Sequence, residues 1–570
     1  MPTHLKTLES HARKALEPAL KGQLSPAERI ALYKRFLKIE EHRILLRHRA
    51  GAGGLEIARA RAELIDTIVT SIYEAAVNAR GGTDLPMALV ATGGYGRQTL
   101  NPGSDVDLLF LLPRASTKLP KPLQELLQEI LYLLWDVGFK VGHACRSITE
   151  CIQQAAEDQL NKTALIDSRL VIGDAELFAQ FEKRFSEDCL DKNQSEFFDL
   201  RRQDLRSRHQ KYSRTVFLQE PNVKEGCGGL RDYQNILWVS RVKLGTMKLE
   251  LLVNDRFLTA TACKEIEEAY DFLHRVRNEL HYHTRKATDL LTLQLQGVVA
   301  TAFRYPQRSI LRKTEEFMRD YYRHTRNLYQ HTTSLMESFE IEQERMTDTR
   351  LRSFLTFRKK AREEFDGFIA RDGRIYPENN DIFKDDPNRI MRLFQHLQVR
   401  GLRLSPPMRK LVKAHWEDID RPFRYSKANR QTFQAILERK GDVASALRKM
   451  HRVGVLGRYL PEFGALDCLV QHEFFHRYTA DEHTLRCIEE LDKLVGDTNP
   501  SKEIYRRLFH QIEDAYGLYL AVILHDTGRS ENVREHIDGS AMLAVRLCNR
   551  LQISGPRRSL IMYLVDNHLS

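Results

Sequence analysis

The chain has 570 residues, of which 42% are hydrophobic and 29% charged, so we expect a globular protein of three or four domains. Its formal net charge of +11 comes from arginines spread along the chain, which does not by itself indicate a nucleic-acid partner. No apolar run approaches the roughly 20 residues needed to cross a bilayer, and the N-terminus lacks a signal-peptide stretch. The sequence therefore predicts a cytoplasmic protein with no membrane partner. Its eight cysteines form no CxxC pair, which argues against a disulfide framework and a zinc ribbon.

Two long helices are predicted before the first strand. Ser25 and Pro26 are typical of an N-cap and a first helical residue, and this helix is expected to end near Arg49. After the glycine-rich loop 51–54, a second helix is expected to end near Ala79. We expect both helices to pack against the sheet that follows.

The run from Gly93 to Leu112, GGYGRQTLNPGSDVDLLFLL, is the most informative part of the chain. The short apolar segment Met87–Thr92 precedes it and predicts a strand. Gly93 and Gly94 can adopt backbone conformations closed to other residues, which lets main-chain N–H groups approach a triphosphate. A ten-residue loop then leads to a second, strongly apolar strand.

Asp105 and Asp107 begin that second strand, and its two-residue period places both carboxylates on one face. Paired carboxylates suit Mg²⁺, which takes further ligands from substrate phosphates. Arg97 and Ser104 are predicted to contact phosphate oxygens through a guanidinium and a hydroxyl group. A tight hairpin with a solvated Asp-x-Asp is the alternative, but it does not explain the whole combination of glycine pair, loop, carboxylates and strand.

This arrangement resembles the nucleotidyltransferase superfamily of DNA polymerase beta type, in which a glycine pair and two carboxylates hold a nucleoside triphosphate and its metals. That superfamily usually adds a third acid from a later strand. The plausible later strand here, Lys140–Ser147, contains no acid. Asp136, Asp167 and Asp174 are candidates, and the third ligand stays unassigned.

Helical periodicity dominates from Leu123 to about residue 345. One long helix is expected to bury Ile310, Phe317, Tyr321 and Leu328. The polar segment Glu342–Arg352 is the best candidate for a linker. Beyond it, Asp386 and Pro387 are expected to start a helix whose buried stripe is Ile390, Met391, Phe394 and Leu397.

Histidines concentrate near the C-terminus, together with one aspartate: His472, His476, His483, the pair His525-Asp526, His536 and His568. The apolar run Leu518–Leu524 predicts a buried helix that ends at the His-Asp pair. Any single histidine is more often a packed or surface residue than a ligand. As a group, imidazole and carboxylate ligands favour a Mn²⁺, Mg²⁺ or Zn²⁺ site that activates water against a phosphodiester.

The order His483, His525-Asp526, His536 and His568 resembles HD-domain phosphohydrolases, which close the site with a later aspartate. The sequence ends two residues after His568, and Asp566 is expected to diverge from His568 on the same helix. We therefore expect either a fragment or an incomplete hydrolytic site that binds metal weakly.

Two further segments, Pro221–Asp232 and Leu456–Thr484, resemble signature stretches of the bacterial protein-PII uridylyltransferase/uridylyl-removing enzymes. The resemblance runs from about residue 40 to the end and implies transfer of UMP from UTP to a tyrosine of the PII signalling protein. It implies Mg²⁺ at the transferase site and a second divalent metal in the HD domain, which would remove the UMP. By position it assigns transfer to Gly93, Gly94, Asp105 and Asp107, and removal to His483, His525, Asp526 and His536. The C-terminal ACT domains of that family are not expected here, and Arg529 stands where that family usually has a lysine.

The expected fold is α+β and mostly helical, with a polymerase-beta-type sheet, helical domains and an all-α HD domain. The predicted domains are N-terminal helices (1–80), the catalytic core (81–150), an associated helical domain (151–345), a helical connecting region (346–460) and a truncated HD domain (461–570). Two alternatives stay open. One is a tRNA or other polynucleotide nucleotidyltransferase, and the other is a regulatory protein with decayed sites.

Overall fold

The computed structural model of the protein describes residues 3–81, 86–115, 117, 119–254, 257–352, 362–469, 478–530 and 536–568. For residues 3–6, 345–352, 529–530 and 536–538 it describes the backbone alone. The chain forms two compact units, one made of Met1–Val216 and Glu220–Met336 and the other of Phe217–Gln219 and Glu337–Ser570. None of the helices in the described segments combines the length and the apolarity that a bilayer span requires.

The first unit contains four strands among many helices. The strands are β1 (Ala88–Ala91), β2 (Val106–Leu112), β3 (Val141–Ser147) and β4 (Arg169–Gly173). The helices are α1 (Thr3–Ala15), α2 (Glu17–Leu20), α3 (Pro26–Ala50), α4 (Gly54–Asn78), α5 (Gly93–Gly96), α6 (Lys121–Val137), α7 (Ile148–Glu157), α8 (Gln159–Ile166), α9 (Ala175–Phe185), α10 (Gln194–Lys211), α11 (Leu230–Leu244), α12 (Leu249–Asn254), α13 (Ala260–Thr284), α14 (Leu293–Ala302) and α15 (Ile310–Arg352), which continues into the second unit.

The four strands form one mixed sheet in the order β3-β2-β1-β4. β2 pairs with β1 antiparallel and with β3 parallel, and β4 pairs with β1 antiparallel. Strand β4 was not predicted, because its five residues are too few to distinguish a strand from the helices on either side.

Both faces of this sheet are covered by helices, and the alternation of side chains along each strand explains how. Leu108 and Phe110 of β2 join one hydrophobic cluster with residues of α3, α4 and α6. Leu109 and Leu111 point the other way and join a second cluster with residues of α7, α9 and α11. A strand buried on both faces has the continuous apolar sequence seen after Asp107.

The two predicted N-terminal helices are confirmed as α3 and α4. Ser25 caps α3 through a capping box with Glu28, and Pro26 occupies the first turn. Helix α15 buries Phe317, Tyr321 and Leu328 as predicted, but Ile310 is 67% exposed because it is the first residue of the helix. The prediction for Ile310 was therefore wrong.

The second unit contains a small sheet and a larger helical part. The strands are β5 (Glu363–Phe365), β6 (Phe368–Arg371), β7 (Arg374–Pro377) and β8 (Arg403–Leu404). The helices are α16 (Ile382–Asp385), α17 (Arg389–Val399), α18 (Pro406–Ala414), α19 (Arg421–Tyr425), α20 (Lys427–Leu437), α21 (Val443–Arg452), α22 (Val455–Tyr459), α23 (Pro461–Gly464), α24 (Ala480–Lys493), α25 (Glu503–Gln511), α26 (Ala515–Leu524), α27 (His536–Leu551) and α28 (Gly555–Asp566).

Three expectations for this part of the chain need correction. The region expected to be helical carries a sheet in the order β5-β6-β7-β8, whose strands of two to four residues are too short to produce a clear sequence period. The predicted linker Glu342–Arg352 forms the last turns of α15. Asp386 lies ahead of the helix, which starts at Arg389, because its side chain accepts from the backbone of Asn388 and holds a turn there. The predicted stripe on α17 is fully buried.

Candidate functional site

The two predicted catalytic carboxylates lie at the start of β2. Asp105 directly precedes the strand and Asp107 is its second residue, and both are exposed while Val106 and Leu108 are buried. The strand period therefore presents both acids on the same side, as predicted. Two exposed carboxylates at the edge of a buried sheet form an oxygen-rich donor set, which is the kind that Mg²⁺ prefers.

Glycines flank the Asp107 carboxylate on two sides. Gly93 has a φ of +55°, and a Cβ built on it would lie 3.4 Å from Asp107 Oδ2. Gly142 is the register partner of Asp107 on β3, and a Cβ there would lie 2.6 Å from Oδ1. The carboxylate thus occupies space that side chains at these two positions would take. Gly94 does not share the left-handed conformation, although it belongs to the same short helical turn, α5.

The surroundings of Asp107 contain charges of both signs. Partial desolvation and then the negative charge of Asp105 raise the pKa of Asp107, whereas Lys224 and Arg97 lower it. Repulsion between neighbouring carboxylates is the condition that a bound divalent cation relieves. The residues present therefore fit a magnesium ion held by Asp105 and Asp107.

Lys224 is a site residue that the sequence reasoning missed. It lies in the loop before α11, where Asn222 Oδ1 accepts from the backbone N–H groups of Lys224 at 3.1 Å and Glu225 at 2.7 Å. Burial, followed by the charges of Arg277 and Arg231, lowers the pKa of Lys224. Lys224 belongs to the segment Pro221–Asp232, and the resemblance of that segment to a known family was the sequence signal that could have identified this lysine.

Arg97, predicted to contact phosphate, has a protein partner. Its guanidinium pairs with Asp167, which is 4% exposed and also accepts from Trp238 Nε1 at 3.0 Å. Burial raises the pKa of Asp167 despite both partners. Gly94 lies over the same guanidinium, since a Cβ there would be 3.8 Å from Arg97 Nη2. A phosphate contact by Arg97 stays a prediction.

The candidates for the third acid have other positions in the fold. Asp167 pairs with Arg97, Asp174 caps α9 by accepting from Leu177 N at 2.9 Å, and Asp136 is exposed on α6. The third ligand stays unassigned. Ser104 is half-buried one residue before Asp105, and its N–H donates to Asn101 O at 3.0 Å.

The loop that carries Ser104 and Asp105 is hydrogen-bonded to α13. Asn101 is fully buried, donates to Asn278 Oδ1 at 2.7 Å and to His274 Nδ1 at 3.2 Å, and accepts from Arg277 Nη1 at 2.5 Å. Both N–H groups and the oxygen of the Asn101 amide therefore have partners, and burial lowers the pKa of His274 so that its neutral ring can accept. These contacts between residues 173 to 177 positions apart could not be inferred from sequence spacing.

The second predicted site is assembled in the other unit. His525 Nε2 lies 3.2 Å from Asp526 Oδ2, while His483 Nε2 and His568 Nε2 each lie 3.8 Å from an oxygen of Asp526. Asp526 is 2% exposed and lies just after α26, while His483 is on α24 and His568 follows α28. Four of the predicted ligands therefore converge, and Asp566 is exposed two residues before His568.

Backbone contacts select the ring nitrogen that faces this cluster. Nδ1 of His525 donates to Val522 O at 2.7 Å, and Nδ1 of His568 donates to Val565 O at 2.7 Å. With the proton held on Nδ1, each ring presents the Nε2 lone pair that a metal requires. The donor set of imidazoles and one buried carboxylate fits a divalent transition metal.

Cys487 lies at the same site, one helical turn after His483, and was not predicted. A nitrogen of His483, a nitrogen of His525 and the Cys487 sulfur lie within 4.8 Å of one another. Burial, followed by the charge of Asp526, raises the pKa of this thiol to about 11. A thiol at i+4 from a histidine was a usable signal, since both lie on one face of a helix.

Several predicted residues cannot be placed. His472 and His476 lie outside the described residues, as do the side chains of Arg529 and His536. The backbone at His536 begins α27. Four residues further along this helix, Ser540 Oγ accepts from the N–H of Gly528 at 2.9 Å.

Three family models match consecutive parts of the chain. The model described as nucleotidyltransferase domain matches residues 77–171, which include the glycine pair and both carboxylates. The model of GlnD PII-uridylyltransferase matches residues 196–336, which include Lys224 and the residues of α13 that bond to Asn101. The model of the uridylyltransferase GlnD third domain matches residues 368–459.

Proposed function

Because the chain belongs to the GlnD-type PII uridylyltransferases, we propose that it transfers UMP from UTP to a tyrosine of the PII signalling protein. The observation that carries this proposal is the position of the Asp107 carboxylate between Gly93 and Gly142, with Asp105 and Lys224 both close enough to shift its pKa. Paired acids with a nearby cation are the kind of charge arrangement that suits a metal-bound triphosphate.

Each group in the transferase site has a role that its position supports. Asp105 and Asp107 would hold Mg²⁺, which supplies charge neutralisation on the triphosphate when bound. Lys224 is positioned to offset negative charge beside Asp107, and the backbone at Gly93 and Gly94 allows close approach of the phosphates. In the reaction a bond forms between the tyrosine oxygen and the α-phosphorus, the bond to pyrophosphate breaks, and the phenolic proton is released. The main contributions of the protein are alignment and charge compensation.

A second activity, hydrolysis of the UMP–tyrosine bond, is supported by the convergence of His483, His525, Asp526 and His568. The metal that these residues would hold, Mn²⁺, Mg²⁺ or Zn²⁺, supplies an activated water when bound. The protein holds the lone pairs of two imidazoles towards Asp526 through the Nδ1 hydrogen bonds. UMP and unmodified PII would be the products.

The transfer is tested by incubating the full chain with labelled UTP, Mg²⁺ and either PII or tRNA. We expect label on PII in the wild type and a loss of about a thousandfold or more in Asp107→Asn, because one charged ligand is removed. Asp199→Asn is the matched control, since Asp199 is 52% exposed in a surface ion pair with Arg202. Label on tRNA alone would favour the polynucleotide alternative. Label on neither substrate would favour a regulatory protein with decayed sites.

Hydrolysis is tested separately with purified PII–UMP and each divalent metal in turn. The Asp107→Asn variant is used as the background, so that loss of UMP cannot come from reversal of the transfer reaction. We expect UMP release in this background and its loss on adding His525→Asn. His510→Asn is the control, because His510 is exposed on α25. Equal release by the His525 and His510 variants would contradict the assignment of this cluster.

A further inference from the structure

A second group of potential ligands lies in the same unit as the histidine cluster. It consists of His451 at the end of α21, Asp467 in the turn after α23, and Asp481 in the first turn of α24. One nitrogen and two carboxylate oxygens from these residues lie within 4.8 Å of one another. His451 and Asp467 are half-buried, and Asp481 is fully buried.

The Asp481 carboxylate is the informative member of the group. Its exposure is 0%, and neither oxygen has a hydrogen-bond partner within the described part of the chain. Among the described residues it pairs with His451, whose Nε2 lies 3.1 Å from Oδ2. A buried carboxylate without donors is unfavourable unless a cation compensates its charge.

Arg448 and Arg486 do not supply that cation. Arg448 on α21 binds Glu482 at 2.9 Å and also pairs with Glu489, and Arg486 binds Glu482 at 2.8 Å. These guanidinium groups are thus directed to glutamates on the adjoining side of α24. The position of Asp481 near the start of α24 favours a negative charge, but the backbone N–H groups there do not donate to it.

The group is separate from the histidine cluster. Asp481 and His483 are two residues apart on α24, which places them about 200° apart around the helix axis. Asp481 therefore faces His451 and Asp467, whereas His483 faces Asp526 on the other side. A ligand at one cluster does not share side chains with the other.

We propose that His451, Asp467 and Asp481 bind one divalent transition-metal cation, such as Zn²⁺ or Mn²⁺. An imidazole nitrogen with two carboxylate oxygens favours such ions over Ca²⁺ or Mg²⁺, which prefer oxygen ligands alone. His451 is held in place by aromatic contacts, with ring centroids 5.7 Å from Phe463 and 6.3 Å from Phe217. The cation would join α21, the turn after α23 and the first turn of α24, and its role would be structural.

The test uses the full chain with the double substitution His483→Asn and His525→Asn, which removes two ligands of the other cluster. After dialysis against a chelator, Zn²⁺ and Mn²⁺ binding is measured by calorimetry and by metal analysis. We expect one equivalent of metal in this background, and a loss of affinity of about tenfold or more on adding Asp467→Asn or Asp481→Asn. The control substitution Asp385→Asn, at a 64% exposed side chain, should change nothing.

Because a buried substitution can impair folding, each variant is first compared with the background by circular dichroism. Asp467→Asn, at a half-buried position, keeps the test valid if Asp481→Asn does not fold. We also expect added Zn²⁺ to raise the melting temperature of the background but not of the Asp467 variant. No metal in the folded background, which would leave only an ion pair of His451 and Asp481, would overturn the proposal. Unchanged binding in the Asp467 variant would overturn it as well.

Discussion

The Asp107 carboxylate lies against the backbone of Gly142, its register partner on the adjacent strand, so closely that a methyl group there would come within 2.6 Å of Oδ1. Strand β3 therefore contributes to the transferase site through Gly142, which has no side chain and leaves space for the Asp107 carboxylate. A glycine in a strand often marks such a close approach. This contact explains why position 142, the residue of β3 beside Asp107, is a glycine and does not supply an acid.

Gly142→Ala is predicted to reduce UMP transfer while the protein still folds. The added methyl displaces the carboxylate, and a misplacement of about 1 Å can cost on the order of a hundredfold in rate. The measurement is kcat/KM with labelled UTP, together with circular dichroism. Gly496→Ala is the control, since a Cβ there has open space. Equal activity of both variants would show that the carboxylate tolerates the displacement.

Lys224→Gln is predicted to raise the KM for UTP and to move the acid limb of the pH profile of kcat/KM to higher pH. Lys224 lowers the pKa of Asp107, so its removal raises that pKa and keeps the carboxyl protonated to a higher pH. Lys224→Arg should restore most of the profile. Lys264→Gln is the control at a 76% exposed side chain. An acid limb that does not move in Lys224→Gln would contradict this electrostatic role.

Asn101→Ala is predicted to lower the free energy of unfolding by about 1–3 kcal/mol, because buried donors and acceptors lose their partners. Arg277, Asn278 and His274 all bond to the removed amide. The loop before Asp105 then loses its anchor, so transfer should fall as well. Urea denaturation and the transfer assay measure the two effects, with the exposed Asn549→Ala as control. Loss of stability without loss of transfer would separate the anchor from catalysis.

Asp232→Asn is predicted to destabilise the first unit in a pH-dependent way. Burial raises the pKa of this fully buried carboxyl, but Arg208 and then His209 lower it from 3.8 to about 2, a shift equivalent to about 2 kcal/mol. A depressed pKa stabilises the folded state above about pH 4, and this contribution is lost as the pH falls through about 2. The gap in unfolding free energy between wild type and variant, about 3 kcal/mol at neutral pH, should therefore narrow over that range. A constant gap from pH 6 to pH 2 would contradict the assignment.

Cys487→Ser is predicted to weaken Zn²⁺ binding at the histidine cluster more than Mn²⁺ binding. Thiolate is a soft ligand that favours Zn²⁺, whereas a hydroxyl group favours neither ion strongly. We expect about a tenfold loss for Zn²⁺ and a smaller change for Mn²⁺, measured by calorimetry in the variant Asp467→Asn. Cys263→Ser, at a buried thiol on α13, is the control. A parallel loss for both metals would point to a packing effect.

The sequence by itself determined the local features of both sites. The period of two at the start of β2 set the common face of Asp105 and Asp107, and the apolar run before His525 set the buried helix α26. Such features depend on neighbouring residues alone, so a single sequence contains them. The strands β4 and β8 are too short for such a pattern and were not predicted.

Only the tertiary structure decided which distant residues meet these local features. It placed Lys224 and Gly142 beside Asp107, gave Arg97 the partner Asp167, and joined Asn101 to α13. In the other unit it brought together helix ends that are up to 85 residues apart, at His483 and His568. Packing of helices and strands fixes these contacts, and the period of a single element carries no information about its neighbours in space.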